Sequence, residues 1–267
     1  MIEQHNYKEI NKNLWNQKTA AHVDSDFYDN DGFLKGKSSL NPIEIELLGD
    51  VNGKKILHLQ CHFGQDSLSL ARLGAKVTGL DLSDRAIEQA QKINDQLGLD
   101  AQFICSDVYD APASLNGLFD IVYTSYGTIG WLPDLNRWAE VISRCLKPDG
   151  KLVFVEFHPV VWMFDYDFSK FQYSYFNDGA IIEVQEGTYA DRNADIVAEE
   201  GSWNHSLSED FQGLLNNGLQ IESFAEYDYS PYNCFKNTVE IEAGKYQIKG
   251  LEKTIPMLYS ITARKKS

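Results

Sequence analysis

Residues 54–83, KKILHLQCHFGQDSLSLARLGAKVTGLDLS, decide the fold because they contain a strand, a loop, a helix and a second strand in succession. The apolar run KKILHL predicts a buried strand, and the turn QCHFGQ leads from it into a helix over residues 66–73. Gly74 ends that helix, and AKVTGLDL is the second predicted strand. This order of elements is typical of parallel strands joined by crossover helices.

The same alternation continues toward the C-terminus. Ser83 is placed to cap a helix over residues 84–97, and AQFICS, FDIVYTS and KLVFVEF are further predicted strands. We expect a helix to begin at Pro133 and Asp134 and to run to about residue 145, with LKPDG as the turn that follows it. The chain is therefore expected to be an α/β protein with a doubly wound, mostly parallel sheet.

The flanking segments have a different character. Residues 7–21 and 41–48 predict two helices, with the polar loop DSDFYDNDGF between them. After Pro159 the alternation in GAIIEVQEGTY predicts a small antiparallel insertion that covers one edge of the sheet. A helix over residues 206–216 and the strands LQIESFAEY and PMLYSITAR complete the core, whereas residues 229–250 have the least clear pattern.

Length and composition limit what the protein can be. The 267 residues suit one domain, with a core at 54–158, an insertion at 160–204 and the rest of the core at 205–267. The net charge of -15 would repel a nucleic-acid backbone, and the only dense basic cluster is residues 264–266. The first ten residues are polar and lack the apolar core typical of a signal peptide. No stretch has the length expected to span a bilayer, and the four cysteines have no CxxC spacing. We expect a soluble, cytoplasmic protein without disulfides, a metal site or a nucleic-acid partner.

The loop after the first strand is where a ligand site is expected. In a doubly wound sheet, ligands bind beyond the carboxyl ends of the strands, where the strand order reverses. Asp81 closes the second strand, where a carboxylate can accept hydrogen bonds from ribose hydroxyls. Asp107 follows the third strand, where it can accept from an adenine amino group. Both carboxylates can also cap the segments after them, and the two roles are compatible.

Residues 54–158 resemble the class I S-adenosylmethionine-dependent methyltransferases over five motifs in order. Residues 54–83 correspond to the first two motifs, SDVYDAP to the third, FDIVYTSYGTIGWLPDL to the fourth and LKPDGKLVFVEFHP to the fifth. The resemblance implies a seven-strand Rossmann-like sheet, S-adenosylmethionine as cofactor and S-adenosylhomocysteine as product. It also implies that residues 1–50 fold over the cofactor as a helical lid, while a packed helix with its loop is the alternative that the sequence leaves open. The LHLQCHFG run is similar to a bacterial subgroup that methylates small molecules, which implies a small-molecule acceptor.

The glycine-rich loop departs from the family pattern D-x-G-x-G-x-G, because residues 58–64 read HLQCHFG and keep only Gly64. Gln60 and His62 take positions where a positive φ or close ligand contact favours glycine. One interpretation is a decayed site. The other is that both side chains bind the cofactor's carboxylate and amine, which the intact Asp81 and Asp107 favour. The cofactor-binding residues carried over from the family are Gln60, Cys61, His62, Gly64, Asp81, Leu82, Ser106, Asp107, Val108, Thr124 and Ser125.

The methyl acceptor is expected beside residues 124–126, where the resemblance places the reactive methyl group. In-line methyl transfer depends on alignment and exclusion of water, without an obligatory base. TSYG differs from the Asn/Asp-Pro-Pro-Tyr run of relatives that modify planar amino groups, which argues against nucleobases and protein glutamine. Aromatic side chains suit an apolar or cationic molecule, although core packing is the simpler explanation for any one of them. The substrate-binding candidates are Tyr28, Tyr126, Trp131, Trp162 and Trp203.

His158 and His205 are the candidate catalytic residues. His158 ends the fifth strand directly before Pro159, so we expect its ring to point toward the same crevice. His205 precedes a predicted helix and either caps it or acts as a base or substrate contact. Either imidazole can accept a proton from a hydroxyl, thiol or amine.

Two other functions stay open at this point. A non-catalytic module that binds S-adenosylmethionine or a nucleotide would explain the altered loop. A NAD(P)-dependent oxidoreductase shares the fold and the acidic residue after the second strand, but its glycine spacing is matched poorly here. The identity of the acceptor and the oligomeric state are not indicated by the sequence.

Overall fold

The computed structural model describes residues 6–115 and 117–266. The helices are α1 (Tyr7–Val23), α2 (Asn30–Leu34), α3 (Pro42–Leu48), α4 (Gln65–Arg72), α5 (Asp84–Leu97), α6 (Ala111–Ser114), α7 (Leu135–Cys145) and α8 (Leu207–Asn216). The strands are β1 (Lys55–Leu59), β2 (Lys76–Asp81), β3 (Gln102–Cys105), β4 (Phe119–Ser125), β5 (Leu146–Phe157), β6 (Ile181–Glu186), β7 (Val197–Ser202), β8 (Leu219–Tyr227), β9 (Thr238–Glu242), β10 (Lys245–Ile248) and β11 (Leu258–Lys265). Within the described residues, no helix combines the length and apolar character needed to cross a bilayer.

A seven-stranded sheet in the order β3-β2-β1-β4-β5-β11-β8 forms the centre of the molecule. Strands β1 to β5 are parallel, and β11 runs antiparallel to both β5 and β8. The strand order reverses between β1 and β4, which creates a crevice at their carboxyl ends. The expected doubly wound, mostly parallel sheet of seven strands is confirmed.

Each face of the sheet carries its own apolar core, because successive side chains of a strand point to opposite faces. On β1, Ile56 packs in one cluster with Leu68 of α4 and Ile93 of α5. Its neighbour Leu57 packs on the other face, in a cluster with Trp138 of α7. Since both faces are covered by helices, β1 is buried along nearly its whole length, and this explains its mostly apolar sequence.

Two segments differ from the sequence-based prediction. The predicted turn LKPDG belongs to β5, because Leu146 already pairs with Phe119 of β4 before a register shift in the ladder. Asp149 makes the bend there with a left-handed φ of 60°. In the region with the least clear pattern, β9 and β10 form a separate antiparallel hairpin.

The inserted antiparallel hairpin, β6 and β7, forms a two-stranded sheet of its own. It packs against α1 over the carboxyl ends of the parallel strands, rather than covering an edge strand of the large sheet as expected. The buried Asn11 of α1 fastens the two together: its side-chain amide donates to the Gly201 carbonyl at 2.8 Å and accepts from the Gly201 N–H at 2.9 Å. These two hydrogen bonds join parts of the chain 190 residues apart.

Candidate functional site

A cavity of about 1220 Å³ lies at the carboxyl ends of the parallel strands. Its floor comes from the segments after β1, β2, β3 and β4, and its roof from α1, the insertion and residues 232–236. Pockets for one small ligand usually measure about 300–1,000 Å³, so this cavity has room for two molecules side by side.

The loop after β1 keeps a glycine-type backbone although two of its residues are not glycine. Gln60, His62 and Gly64 have φ values of 55°, 50° and 82°. A left-handed conformation costs about 1–2 kcal/mol for each non-glycine residue. The surrounding hydrogen bonds hold it: the Gln60 side chain donates to the Thr128 carbonyl at 2.8 Å, and the His62 N–H donates to the Asp81 carboxylate at 2.8 Å.

Gly64 is retained for a steric reason as well as for its φ. A β-carbon at Gly64 would lie 2.7 Å from the Phe103 ring, and one at Gly79 would lie 2.8 Å from the Cys61 sulfur. Cys61 therefore fills the space left by a glycine in β2. Burial raises the pKa of its thiol, which keeps it neutral, so Cys61 shapes the loop rather than acting as a nucleophile.

Asp81 and Asp107 lie at the cavity in the positions expected from the sequence. Asp81 accepts the His62 N–H with one oxygen and the Ser83 N–H at 2.9 Å with the other, while burial raises its pKa. Asp107 accepts the Tyr109 N–H at 2.7 Å and pairs with the Lys8 ammonium at 2.5 Å. Each carboxylate thus caps the following segment and still lines the cavity, which joins the two roles that the sequence left open.

Two polar atoms of the loop are buried without a partner among the described residues. They are Oε1 of Gln60 and Nδ1 of His62. An unsatisfied buried polar group costs about 1–3 kcal/mol. Because both residues line the cavity, a bound ligand is the natural source of the missing hydrogen bonds.

One face of α1 covers the cavity. Four of its residues at helical spacing, Tyr7, Asn11, Trp15 and Lys18, line the roof. Trp15 meets Trp131 of the loop after β4 edge-to-face, with ring centroids 5.3 Å apart. This contact closes the roof onto the floor beside the end of β4.

Lys18 is a site residue that the sequence reasoning missed. It is 6% exposed, its ammonium lies 3.6 Å from the Glu200 carboxylate of β7, and burial lowers its pKa. The ammonium also lies 5.2 Å from the Trp15 ring centroid and 5.5 Å from that of Trp131. The helical spacing of Lys18 with the aromatic residues of α1 could have indicated that it faces the cavity. Its ion pair with Glu200 could not be predicted, because the two residues are far apart in the chain.

A pair of histidines links α1 to the loop after β1. Nδ1 of His22 lies 2.8 Å from Nε2 of His62, so one ring donates to the other. Burial lowers the pKa of His22 to about 2 and that of His62 to about 3, which keeps both rings neutral. Tyr28 stacks on His22, with centroids 5.3 Å apart. The pair is another contact that spacing in the sequence did not predict.

The loop after β4 is held by a buried carboxylate. Glu156 accepts the backbone N–H groups of Thr128 at 2.7 Å, Ile129 at 3.2 Å and Gly127, and also the Thr128 hydroxyl at 2.9 Å. These bonds fix the floor of the cavity next to Trp131. The five substrate-binding candidates all line the cavity: Tyr28, Tyr126, Trp131, Trp162 and Trp203.

Most predicted cofactor residues meet at this cavity, but one does not. Gln60, Cys61, His62, Gly64, Asp81, Leu82, Ser106, Asp107, Val108 and Ser125 line it. Thr124 is absent from the lining: its side chain is fully buried and its hydroxyl donates to the Thr128 hydroxyl at 3.2 Å. It supports the loop after β4 instead.

The two candidate catalytic histidines do not line the cavity either. The His158 N–H still bonds the Met257 carbonyl in the β5–β11 ladder, and its ring lies 3.0 Å from the Glu226 carboxylate of β8. This pairing turns the ring away from the crevice. His205 donates from Nε2 to the Leu132 carbonyl at 2.7 Å and is 4% exposed, so its ring is committed to the protein interior. The expected direction of the His158 ring was wrong, and of the two roles left open for His205 the geometry favours the structural one.

The comparisons with known proteins agree with this geometry. Residues 56–150 match the family model described as a methyltransferase domain. These residues form a methyltransferase domain. The resemblance inferred from the five motifs is thereby confirmed for this part of the chain.

Curated relatives match about half of the chain. The chain is 30% identical over 131 residues to a ubiquinone biosynthesis O-methyltransferase of Chromobacterium violaceum, which covers 48% of this chain and 56% of that protein. It is 32% identical over 129 residues to the protein of the same name from Xanthomonas oryzae pv. oryzae, covering 47% and 54%. The chain thus spans about half the length of the curated relatives it matches.

Solved structures show the same fold over most of the chain. An S-adenosylmethionine-dependent methyltransferase from Clostridium acetobutylicum superposes with a TM-score of 0.58 at 15% identity, covering 96% of this chain and 99% of that one. One from Mesorhizobium loti gives 0.56 at 20% identity, covering 87% and 100%. DhpI in complex with SAH gives 0.59 at 16% identity, covering 98% of each chain. The architecture around the methyltransferase domain is therefore the class I methyltransferase fold.

Proposed function

We propose that the protein is an S-adenosylmethionine-dependent methyltransferase that transfers a methyl group to a small-molecule acceptor. The observation that carries the proposal is the floor of the cavity. There, two strand-end carboxylates flank a left-handed loop whose side chains present unpaired polar atoms. The match of residues 56–150 to a methyltransferase domain supports it.

The residues present fit the chemical groups of S-adenosylmethionine. Asp81 suits the ribose hydroxyls and Asp107 the adenine amino group, because carboxylates accept hydrogen bonds. The unpaired Gln60 oxygen suits the ammonium of the methionine part. Lys18, beside Trp131 in the same cavity, supplies a positive charge for its carboxylate.

The bound cofactor would supply an electrophilic methyl group, and the protein aligns the acceptor and excludes water. Trp15 and Trp131 close the roof, and the hydrogen bonds of Glu156 hold the loop that carries Trp131. Alignment and exclusion of water account for much of the rate of an in-line displacement. The His22–His62 hydrogen bond fastens the roof over the loop during the reaction.

The acceptor that the cavity favours is a small aromatic molecule with a hydroxyl group. Aromatic side chains supply much of the wall on the acceptor side, including Tyr126, Trp162 and Phe235. The relatives from Chromobacterium and Xanthomonas are named O-methyltransferases, which supports oxygen as the atom methylated. The division of the chain into one domain with an insertion, the cytoplasmic location and the exclusion of nucleic acid stay predictions from composition and pattern.

Calorimetry with S-adenosylmethionine, S-adenosylhomocysteine, NAD and NADP tests the first half of the proposal. We expect binding of the two adenosyl compounds only. A panel of hydroxyl, thiol and amine acceptors, assayed for S-adenosylhomocysteine, then tests turnover. NAD binding without a response to S-adenosylmethionine would favour the oxidoreductase, and cofactor binding without turnover of any acceptor would favour a binding module.

A further inference from the structure

A buried tyrosine–carboxylate pair lies beside the end of β4. The Tyr126 hydroxyl donates to Oε2 of Glu44, on α3, at 2.6 Å. The other oxygen of Glu44 accepts the backbone N–H of Asn41 at 2.7 Å and the Asn41 side-chain amide at 3.1 Å. Tyr126 lines the cavity, whereas Glu44 lies behind it and is fully buried.

The backbone of Tyr126 is held in an unfavourable conformation to make this contact. Its φ is 54°, in the left-handed region, and the next residue, Gly127, has a φ of 79°. Such strain costs about 1–3 kcal/mol in a non-glycine residue and concentrates at functional sites. The Tyr126 N–H is anchored to the Val155 carbonyl at 2.8 Å, and Gly127 is anchored by Glu156. The fold therefore sustains a strained turn that places a tyrosine hydroxyl against a buried carboxylate.

The groups that face Glu44 make its protonated form easy to reach. Burial, with the nearby Asp66 carboxylate of α4, raises the pKa of Glu44 to about 7. The other titratable groups around it are phenols: Tyr123 and Tyr126 at β4, and Tyr229 and Tyr232 from the C-terminal part of the chain. A carboxylate of this kind can take up a proton at neutral pH.

A second pair in the chain shows what a purely structural contact of this type looks like. The Tyr259 hydroxyl donates to Asp210 at 2.5 Å, and both residues are fully buried. Neither residue lines the cavity. The Tyr126–Glu44 pair differs because Tyr126 lines the acceptor side of the cavity. There it packs beside Tyr232, with ring centroids 5.0 Å apart.

We propose that Tyr126 and Glu44 form a proton relay that removes the hydroxyl proton of the methyl acceptor. This rests on the proposed function. The acceptor hydroxyl donates a hydrogen bond to the Tyr126 oxygen. As the acceptor oxygen bonds the methyl carbon, the sulfur–methyl bond breaks and its electron pair stays on sulfur. The acceptor proton passes to Tyr126, whose own proton passes to Glu44, so the positive charge of the sulfonium and the negative charge of the carboxylate disappear together.

The test compares catechols of different acidity, from 4-methylcatechol to 4-nitrocatechol, as acceptors for the wild-type protein and for Glu44→Gln and Tyr126→Phe. Glutamine keeps the shape of Glu44 but cannot accept the proton. With 4-methylcatechol, we expect both variants to lose at least about 10²-fold in kcat, the lower range for a general base. We also expect the fall of kcat below about pH 7 to disappear in Glu44→Gln. With 4-nitrocatechol at pH 8, which is largely ionised in solution, the loss should be slight.

Asp210→Asn is the matched control because it neutralises the other buried tyrosine–carboxylate pair. It should leave kcat and its pH profile unchanged, and melting curves check that every variant is folded. An equal loss with both catechols, or an unchanged pH profile in Glu44→Gln, would mean that the pair is structural. Turnover of thiols or amines alone would overturn the relay for a hydroxyl acceptor. Failure of the wild-type protein to turn over any acceptor would overturn the proposed function itself, and the relay with it.

Discussion

The two walls of the cavity are built in different ways. The sheet wall consists of residues 58–66, 80–82, 106–108 and 125–132 of the methyltransferase domain. It is held by backbone geometry and by hydrogen bonds between neighbouring strand ends, such as that of Gln60 with Thr128. The covering wall, residues 7–41, 161–204 and 232–236, is held by side-chain contacts between distant parts of the chain, such as Asn11 with Gly201. A fold family can therefore keep the first wall while the second changes with the acceptor.

Asn11→Ala should give the largest difference in stability between the covering wall and the sheet wall. The substitution leaves the buried N–H and carbonyl of Gly201 without their partner. Each unsatisfied group costs about 1–3 kcal/mol, so the free energy of local unfolding of the covering wall should fall by about 2–6 kcal/mol. Hydrogen exchange should rise in α1 and β7 while β1 and β4 stay protected. Asn13→Ala, on the exposed side of α1, is the control and should change neither. Uniform loss of protection across the sheet would show that the walls unfold as one unit.

Glu44→Gln tests whether the buried carboxylate behind the cavity lowers the stability of the fold in exchange for its proposed role in proton transfer. The folded protein holds the Glu44 proton up to about pH 7, because burial raises the pKa of this carboxyl from its ordinary value of 4.5 in an unfolded chain. Between these values the folded state binds more protons, so the contribution of Glu44 to stability is full below pH 4.5 and is lost as the pH rises through 7. Since one pKa unit corresponds to about 1.4 kcal/mol, the variant should be more stable than the wild type by about 3 kcal/mol at pH 8.

Urea unfolding of Glu44→Gln and the wild type at pH 4.5 and pH 8 measures this difference. The gain should be present at pH 8 and small at pH 4.5. Glu46→Gln, an exposed residue of the same helix, should have no such dependence on pH. A gain of equal size at both pH values would point to a packing effect and not to the buried charge.

The sequence predicted the sheet wall well because its determinants are local. The strand ends at Asp81 and Asp107, and the left-handed positions at Gln60 and His62, follow from the alternation of strands and helices and from the family's motifs. The aromatic candidates Tyr126 and Trp131 also lie where expected. All of these depend on residues close together in the chain.

The roles of Lys18 and Glu44 and the direction of the His158 ring were missed because they depend on pairing across the chain. Lys18 is held at the site by its ion pair with Glu200. Glu44 has its proposed role only through the hydrogen bond from Tyr126, which lies 82 residues away in the chain. His158 was placed wrongly because its direction is set by the antiparallel β11, and the sequence did not indicate the register of that strand. No periodicity within one segment contains this information.

Asp81→Ala tests whether the sheet wall binds the cofactor through this carboxylate. If the carboxylate binds the ribose hydroxyls, loss of a charge-assisted hydrogen bond should weaken S-adenosylhomocysteine binding by about 1–3 kcal/mol, or about 5- to 150-fold in Kd. Calorimetry measures the change. Asp100→Ala is the control, because this exposed carboxylate precedes β3 and so lies at the amino-terminal ends of the parallel strands, opposite the cavity. Unchanged affinity in a folded Asp81 variant would remove Asp81 from the cofactor site.

Replacing Gln60 and His62 together by glycine tests whether their side chains bind the cofactor. Glycine relieves left-handed strain of about 1–2 kcal/mol per residue, but its freedom in the unfolded chain offsets about 0.4–1 kcal/mol of each gain. The double variant also loses the hydrogen bonds of Gln60 to Thr128 and of His62 to His22, so its stability should not rise. Lys253→Gly, an exposed control with a φ of 56°, should gain slightly. If the Gln60 and His62 side chains bind the cofactor, the loss of two hydrogen bonds of about 0.5–1.5 kcal/mol each should lower the affinity for S-adenosylhomocysteine about tenfold. Equal or higher affinity in the double variant would mean that the backbone alone holds the cofactor, and that the histidine serves the roof through its bond to His22.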